Sequence, residues 1–321
     1  MKRKLNKGKL VVYPLLISLI STPIAYNKLV LDNNQNRLQI ISAYNDNNGY
    51  HPKVLNFKEP WNGYKYYMAY TPYTDCDDVY ENPHIMVSND MINWKEKEGF
   101  NNPLEPVPEN HKNFKVYNSD THLVYNDDND ELECWWRLVD DINDLVYIKR
   151  KVTKDGTNWS ESENMYVAKR SEKDILSPSI LYKDGVYTMY GVGRGFRIIE
   201  ITTSDLKTWS EEKLYEIPYT NEKLKTWHID VIDNNGKLEL LSCAFIDSKK
   251  TMNLYYTSLE DGKFKTPTLV LTPSNKILNW DNLGIYRSSL VYENGQYYIF
   301  YGANSKRHTQ GIGMVKSKVL N

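Results

Sequence analysis

Three observations predict an all-β fold, a five-bladed β-propeller of four-stranded antiparallel blades. First, one short pattern occurs five times: a polar residue, a polar or small residue two positions on, then two aliphatics. The copies are His51-Pro52-Lys53-Val54-Leu55, Asp120-Thr121-His122-Leu123-Val124, Ser177-Pro178-Ser179-Ile180-Leu181, His228-Ile229-Asp230-Val231-Ile232 and Arg287-Ser288-Ser289-Leu290-Val291. Second, further strands follow each copy in the same order, joined by tight Asn/Asp/Gly hairpins such as Lys183-Asp184-Gly185 and Glu293-Asn294-Gly295. Third, a Ser/Thr-x-Asp-x-x-x-Trp turn recurs as Ser88 to Trp94, Thr153 to Trp159 and Thr203 to Trp209, with a degraded copy from Ser258 to Phe264. Four-stranded meanders repeating about every fifty to sixty residues are the signature of propeller blades around a central channel.

The N-terminus reads differently. Lys2, Arg3, Lys4, Lys7 and Lys9 precede an apolar run from Leu10 to Ala25. A charged region before an apolar run this short reads as a signal peptide or an N-terminal anchor over residues 1–26, so the protein is expected to be secreted or held at the cell surface. The propeller then occupies residues 27–321. Residues 28–42 form a spare strand pair ahead of the first repeat, while the fifth repeat stops after its third strand; the N-terminal segment is therefore expected to complete the last blade and cover its open edge.

The first repeat runs through strands at 64–70 and 84–87, the second through 132–139 and 145–152, the third through 186–192 and 197–202. The fourth uses 238–244 and 253–257, and the fifth 296–301 and 311–316. In the recurrent turn an Asp side chain accepts backbone N–H groups and the Trp plugs between sheets, so Asp90, Asp155 and Asp205 are assigned to structure.

Composition bounds the function. A net charge of −1 gives no reason to expect nucleic acid or an anionic membrane as partner. The 26 tyrosines and eight tryptophans favour strands and supply flat rings that stack on sugars, although most are expected in the core. Cys76, Cys134 and Cys243 lack any CxxC pair, so no zinc signature and no full disulfide framework is indicated. A monomer acting on carbohydrate is expected.

The first strand of a blade lines the channel, so His51, Asp120, Ser177, His228 and Arg287 should form a ring at one mouth, with Lys53, His122, Ser179, Asp230 and Ser289 below. Side chains two apart in a strand share a face, which places His228 with Asp230 and Asp120 with His122. Three of the six histidines fall in these ten positions. Asp120 and Asp230, their only carboxylates, are the candidate acid/base pair, with His228 and His51 as proton-transfer groups. His122, Arg287, Ser177, Trp61, Tyr73, Glu81, Trp227 and Tyr286 are the candidate substrate contacts; Arg287 serves equally as a buried ion partner. No cofactor or metal is assigned, with a channel-bound cation such as calcium as the alternative, and a self-satisfying polar network as the other.

The motifs His51-Pro52-Lys53-Val54 and Ser177-Pro178-Ser179-Ile180, each followed by a hairpin and a Tyr-rich strand, resemble the arabinanase and levansucrase superfamily, glycoside hydrolase family 43 especially. That resemblance covers roughly residue 28 onward and implies the five-bladed fold and a glycoside hydrolase acting on a polysaccharide or cell-wall glycan. The family's carboxylates are displaced here: His51 and Ser177 stand where its first- and third-blade Asp would be, and the fourth blade has no Glu. Residues 51–101, with Trp61-Asn62-Gly63-Tyr64 and Tyr80-Glu81-Asn82-Pro83, also resemble propellers of phage receptor-binding proteins, which implies glycan recognition without cleavage. A divergent glycosidase and a silent glycan-binding propeller both remain open.

Overall fold

The structure, a computed structural model, describes residues 36–111, 115–246 and 249–320. Residues 1–26 and the segment at 27–35 lie outside the described residues. Among the described residues nineteen strands form five antiparallel sheets. Blade one holds β1 (Gly49–Trp61), β2 (Tyr64–Pro72) and β3 (His84–Ser88). Blade two holds β4 (Val116–Asn126), β5 (Glu131–Asp140), β6 (Leu145–Thr153) and β7 (Glu163–Lys169). Blade three holds β8 (Leu176–Lys183), β9 (Val186–Val192), β10 (Ile198–Thr203) and β11 (Lys213–Tyr215). Blade four holds β12 (Lys225–Asn234), β13 (Lys237–Ile246), β14 (Lys249–Glu260), β15 (Lys263–Phe264) and β16 (Thr268–Leu271). Blade five holds β17 (Gly284–Glu293), β18 (Gln296–Asn304) and β19 (Gln310–Ser317). The inner strands β1, β4, β8, β12 and β17 contact one another in turn and close the ring. Among the described residues no helix is long and apolar enough to cross a membrane.

Blade size departs from a uniform four strands. In blade one the fourth position is reduced to a single bridge between Val87 and Lys95. The chain beyond it carries Pro103, Pro106 and Pro108, which have no N–H to give a ladder. Blade five gains its missing edge from the N-terminal segment: Arg37 bridges Gly313, Leu38 N donates to Ile312 O, and Met314 N donates to Asn36 O.

Apolar clusters fill the gaps between blades. The recurrent turns feed them, with Trp94 packing between blades one and five, Trp159 between one and two, and Trp209 between two and three. Phe264 of the degraded copy takes the equivalent place between three and four. The turn mechanism holds at each site. Asp90 Oδ1 accepts from Ile92 N and Asn93 N, Asp155 Oδ1 from Thr157 N and Asn158 N, and Asp205 Oδ1 from Lys207 N and Thr208 N, all at 2.7–2.9 Å. These bonds hold the Asp90 and Asp205 carboxyls down at about 2.

One feature is common to all five inner strands. Each carries a one-residue bulge at the ring position, between Tyr50 and Lys53, Ser119 and His122, Leu176 and Ser179, Thr226 and His228, and Ile285 and Ser288. His51, Asp120 and Ser177 reach it with φ of 47°, 52° and 57°. A non-glycine residue in this region is uncommon, and bulges of this kind re-aim a side chain beside functional sites.

Candidate functional site

The bulges divide the channel into two layers. In the upper one, His51, Asp120 and His228 come from blades one, two and four, and their candidate ligand atoms all lie within 4.8 Å of one another. His228 Nδ1 sits 3.2 Å from Asp120 Oδ1, off hydrogen-bond geometry, and His51 Nε2 lies 3.9 Å from the same oxygen. Arg287 Nη1 approaches it at 3.4 Å, while Arg287 Nη2 donates to Pro178 O at 2.7 Å. Ser177 N donates to Asp120 Oδ2, and the Ser177 hydroxyl is engaged with the backbone of Ile229.

The charges follow from burial and neighbours. Burial pushes both imidazoles below their ordinary pKa, although Asp120 pulls in the opposite direction, so His51 and His228 are neutral. Burial alone raises Asp120, but His228, His51 and Arg287 together outweigh it and hold the carboxyl well below the usual range. His51 Nε2 and both ring nitrogens of His228 are buried without a hydrogen-bond partner. His51 Nδ1 lies 2.9 Å from Thr71 Oγ1. The tautomer that donates this bond turns the Nε2 lone pair toward Asp120, the arrangement found where a second-shell group orients a metal-bound histidine.

Two neutral imidazoles with three unpartnered ring nitrogens, converging on an ionised carboxylate, suit a divalent transition metal such as zinc. Calcium, the alternative considered from sequence, prefers six to eight oxygen ligands and fits this set poorly.

Above this layer opens a cavity of about 530 Å³. His51 and His228 reach it, together with four of the expected substrate contacts, Tyr73, Glu81, Trp227 and Tyr286. The Tyr286 ring stacks on Tyr50 at 4.6 Å, Tyr50 stacks on Tyr73 at 5.6 Å, and Trp227 Nε1 donates to Tyr286 Oη at 3.0 Å. These rings are thereby fixed, each with part of its surface already used. Glu81 is 5% exposed, and its Oε1 lies 3.7 Å from His51 Nδ1. Burial, then the charges of Asp78 and Asp120, push its carboxyl well above the ordinary range. The loop carrying it is built by Asp77, which accepts from Val79 N, and by Asn82, which donates to Val79 O and accepts from Asn118.

The lower layer pairs its charges within itself, with only His122 Nδ1 lacking a partner, 3.9 Å from Asp230 Oδ1. Asp230 Oδ1 accepts from Lys53 Nζ at 2.7 Å and from Ser179 Oγ at 3.4 Å, and Oδ2 accepts from Leu290 N at 2.8 Å. Ser179 and Ser289 hydroxyls accept from Val231 N and Val54 N. His122 Nε2 meets Ile180 O at 3.0 Å, and His122 lines a second cavity of about 420 Å³ at the opposite mouth.

Several expected placements are therefore corrected. Asp230 and His122 do not line the upper cavity, because a two-residue step along the strand carries them down the channel rather than beside Asp120 and His228. Arg287 and Ser177 lie under its floor, occupied by Asp120 and by backbone. Trp61 stands at the far end of β1, packed on Phe57 and Tyr67 with its Nε1 bonded to Asp130, and does not reach the site.

Sequence reasoning missed Arg137, Arg170 and Asp174. Asp174 Oδ1 and Oδ2 accept from Arg137 Nη2 at 2.7 and 3.0 Å, and Arg170 Nε donates to Oδ2 at 3.2 Å. Arg137 comes from the end of β5, and only the register of blade two brings that end to the mouth.

No protein-family model matches the chain. It is 28% identical over 303 residues to the A type blood N-acetyl-α-D-galactosamine deacetylase of Flavonifractor plautii, a match covering 79% of this chain and 39% of that protein. The chain thus spans about two fifths of the length of this relative. Among solved structures, an N-acetylgalactosamine deacetylase from F. plautii in complex with blood group B trisaccharide superposes with a TM-score of 0.76 at 24% identity, covering 88% of this chain and 94% of that one. An exo-1,5-α-L-arabinanase from a bovine ruminal metagenomic library gives 0.57 at 13% identity over 84% and 94%, and a thermostable family-43 glycoside hydrolase 0.58 at 11% over 89% and 95%. The chain is a five-bladed β-propeller similar to those of carbohydrate-active enzymes. It is similar in sequence to a GalNAc deacetylase and in fold alone to family-43 glycosidases.

Proposed function

We propose that the protein is a divalent-metal-dependent hydrolase that removes an N-acetyl group from an amino sugar in a glycan. The observation that carries this reading is the convergence of His51, Asp120 and His228 under the cavity, with buried imidazole nitrogens that meet no partner. The relative's name supports the choice of acyl group. A bound divalent cation would polarise the acyl oxygen and make water beside it more acidic.

The remaining work falls to the chain. Glu81, buried and proton-avid beside His51, takes the proton of the attacking water as its oxygen bonds to the acyl carbon. As the C–N bond breaks, Glu81 returns that proton to the departing amine, and acetate is the second product. Tyr73, Trp227 and Tyr286 hold the sugar over the floor. Arg287 keeps Asp120 ionised and oriented.

The glycosidase pair Asp120 and Asp230 is set aside in this reading. Neither lines the cavity, each faces a buried cation, and an inverting pair needs roughly 6.5–9.5 Å of open space for sugar and water between its carboxyls. The basic and apolar start of the sequence supports action outside the cytoplasm.

The test is acetate release against reducing-end release on N-acetylated and fully de-N-acetylated oligosaccharides, with and without a chelator, in wild type and Glu81→Gln. Acetate release that stops with chelator, returns with zinc and falls ~100-fold or more in Glu81→Gln is expected. Reducing ends without acetate would establish a glycosidase instead. Binding with neither product would leave a glycan-binding propeller.

A further inference from the structure

One wall of the upper cavity has no role in the chemistry above. Arg137 and Arg170 of blade two and Arg194 of blade three all line it. Arg137 is 2% exposed, and its Nε is buried without a hydrogen-bond partner even though Nη2 grips Asp174. Arg170 shares Asp174 and also pairs with Asp141. Arg194 makes no ion pair among the described residues.

The segment presenting Arg194 is a tight turn in Gly193-Arg194-Gly195-Phe196. Gly193 N donates to Arg197 O at 2.9 Å, and Phe196 N donates to Gly193 O at 3.2 Å. Gly195 sits at φ 70°, and a Cβ on Gly193 would meet Ile199 Cγ2 at 2.7 Å, so both glycines are required for the turn. The Phe196 ring packs on Phe245 and under Lys225. Three guanidinium groups against Asp174 and Asp141 leave this wall one positive charge in excess. Asp78 and Glu81 line the same cavity.

We infer that the wall between blades two and three is an oxyanion subsite, and that the glycan this cavity reads carries a carboxylate or phosphate beside its acetylated amino sugar. Guanidinium groups match both oxyanions with paired N–H donors, and a fixed turn presents Arg194 without the entropy cost of ordering a loop. The inference rests on the deacetylation reading for the neighbouring sugar; the subsite itself is read from the arginines.

The zinc-loaded protein is compared on three N-acetylated oligosaccharides of equal length: a neutral one, one with alternating uronate and one with a phosphate substituent. Both turnover and direct calorimetric binding are measured, in wild type, Arg194→Ala and Arg194→Lys. The acidic ligand that fits is expected to show a KM or Kd at least ~10-fold below that of the neutral one. That ratio falls toward one in Arg194→Ala, is partly retained in Arg194→Lys, and shrinks as ionic strength rises. The uronate and phosphate arms tell which oxyanion is read. Arg194 is exposed, so an unchanged Tm verifies that the variants fold. Acid preference in binding without acetate release would keep the subsite and sink the deacetylase. Acetate release or binding with no acid preference, or a preference untouched by Arg194→Ala, would overturn the subsite, as would no binding on any arm.

Discussion

The two layers of the channel are drawn from the same five strands and hold similar residues, yet the lower one pairs its charges within itself and leaves one ring nitrogen over, whereas the upper one leaves three that converge on a single carboxylate. In the lower layer, Lys53, Asp230, Ser179 and Ser289 partner one another or the backbone, and one ring nitrogen, His122 Nδ1, is left over 3.9 Å from Asp230 Oδ1. In the upper layer, His51, Asp120 and His228 converge with nitrogens left over. A buried polar cluster that completes itself stabilises a single arrangement, whereas one that does not is open to a ligand. The lower ring reads as a plug that fixes the five blades, and the upper ring as the working surface.

The sharpest way to break this contrast is at the upper ring. Asp120→Asn or His228→Ala is expected to weaken zinc binding and lower acetate release by at least ~100-fold while the β-sheet circular dichroism persists. Full activity in both variants would remove the distinction. The matching change below is Asp230→Ala, which strands Lys53 and Leu290 N. It should cost about 3–5 kcal/mol of stability in urea melts and leave turnover per folded molecule close to wild type. Activity lost at unchanged stability would move Asp230 into the chemistry.

The smallest effect belongs to the outer turns. Asp90→Ala should cost about 1 kcal/mol after allowance for solvent screening, with no change in turnover. The folded pKa of Asp90 and Asp205, at about 2, lies below the unfolded value of about 3.9. Their contribution is therefore complete above about pH 4 and is lost as pH falls through about 2. Acid melts of wild type and Asp90→Ala should converge in that window. A gap that stayed constant down to pH 2 would count against the carboxylate as its source.

Local pattern made much of this legible. The alternation of each inner strand, the Asp/Gly hairpins and the Asp…Trp turns specify strands, their order and their packing ends, because each depends on a few neighbouring residues. His51, Asp120 and His228 stand out by their place in the repeat, whereas Glu81 is read from sequence only as a substrate contact. Trp61 was misplaced because its sequence neighbours say nothing about which end of a long strand it occupies. Arg137 and Asp174 were missed because the strand end carrying one and the connection carrying the other meet only across the completed blade.

The sequence by itself determined the repeat, the all-β fold and the ten channel positions, since side-chain period and turn chemistry are local properties. Only the tertiary structure decided which of those ten are free to act. A one-residue bulge on each inner strand separates the rings, and contacts reaching across 177 and 235 positions of chain pair Lys53 with Asp230 and Ser289 with Val54 while leaving His51 Nε2 and both His228 ring nitrogens unpartnered. Hydrogen-bond satisfaction in a buried channel belongs to the assembled ring, and no single repeat encodes it.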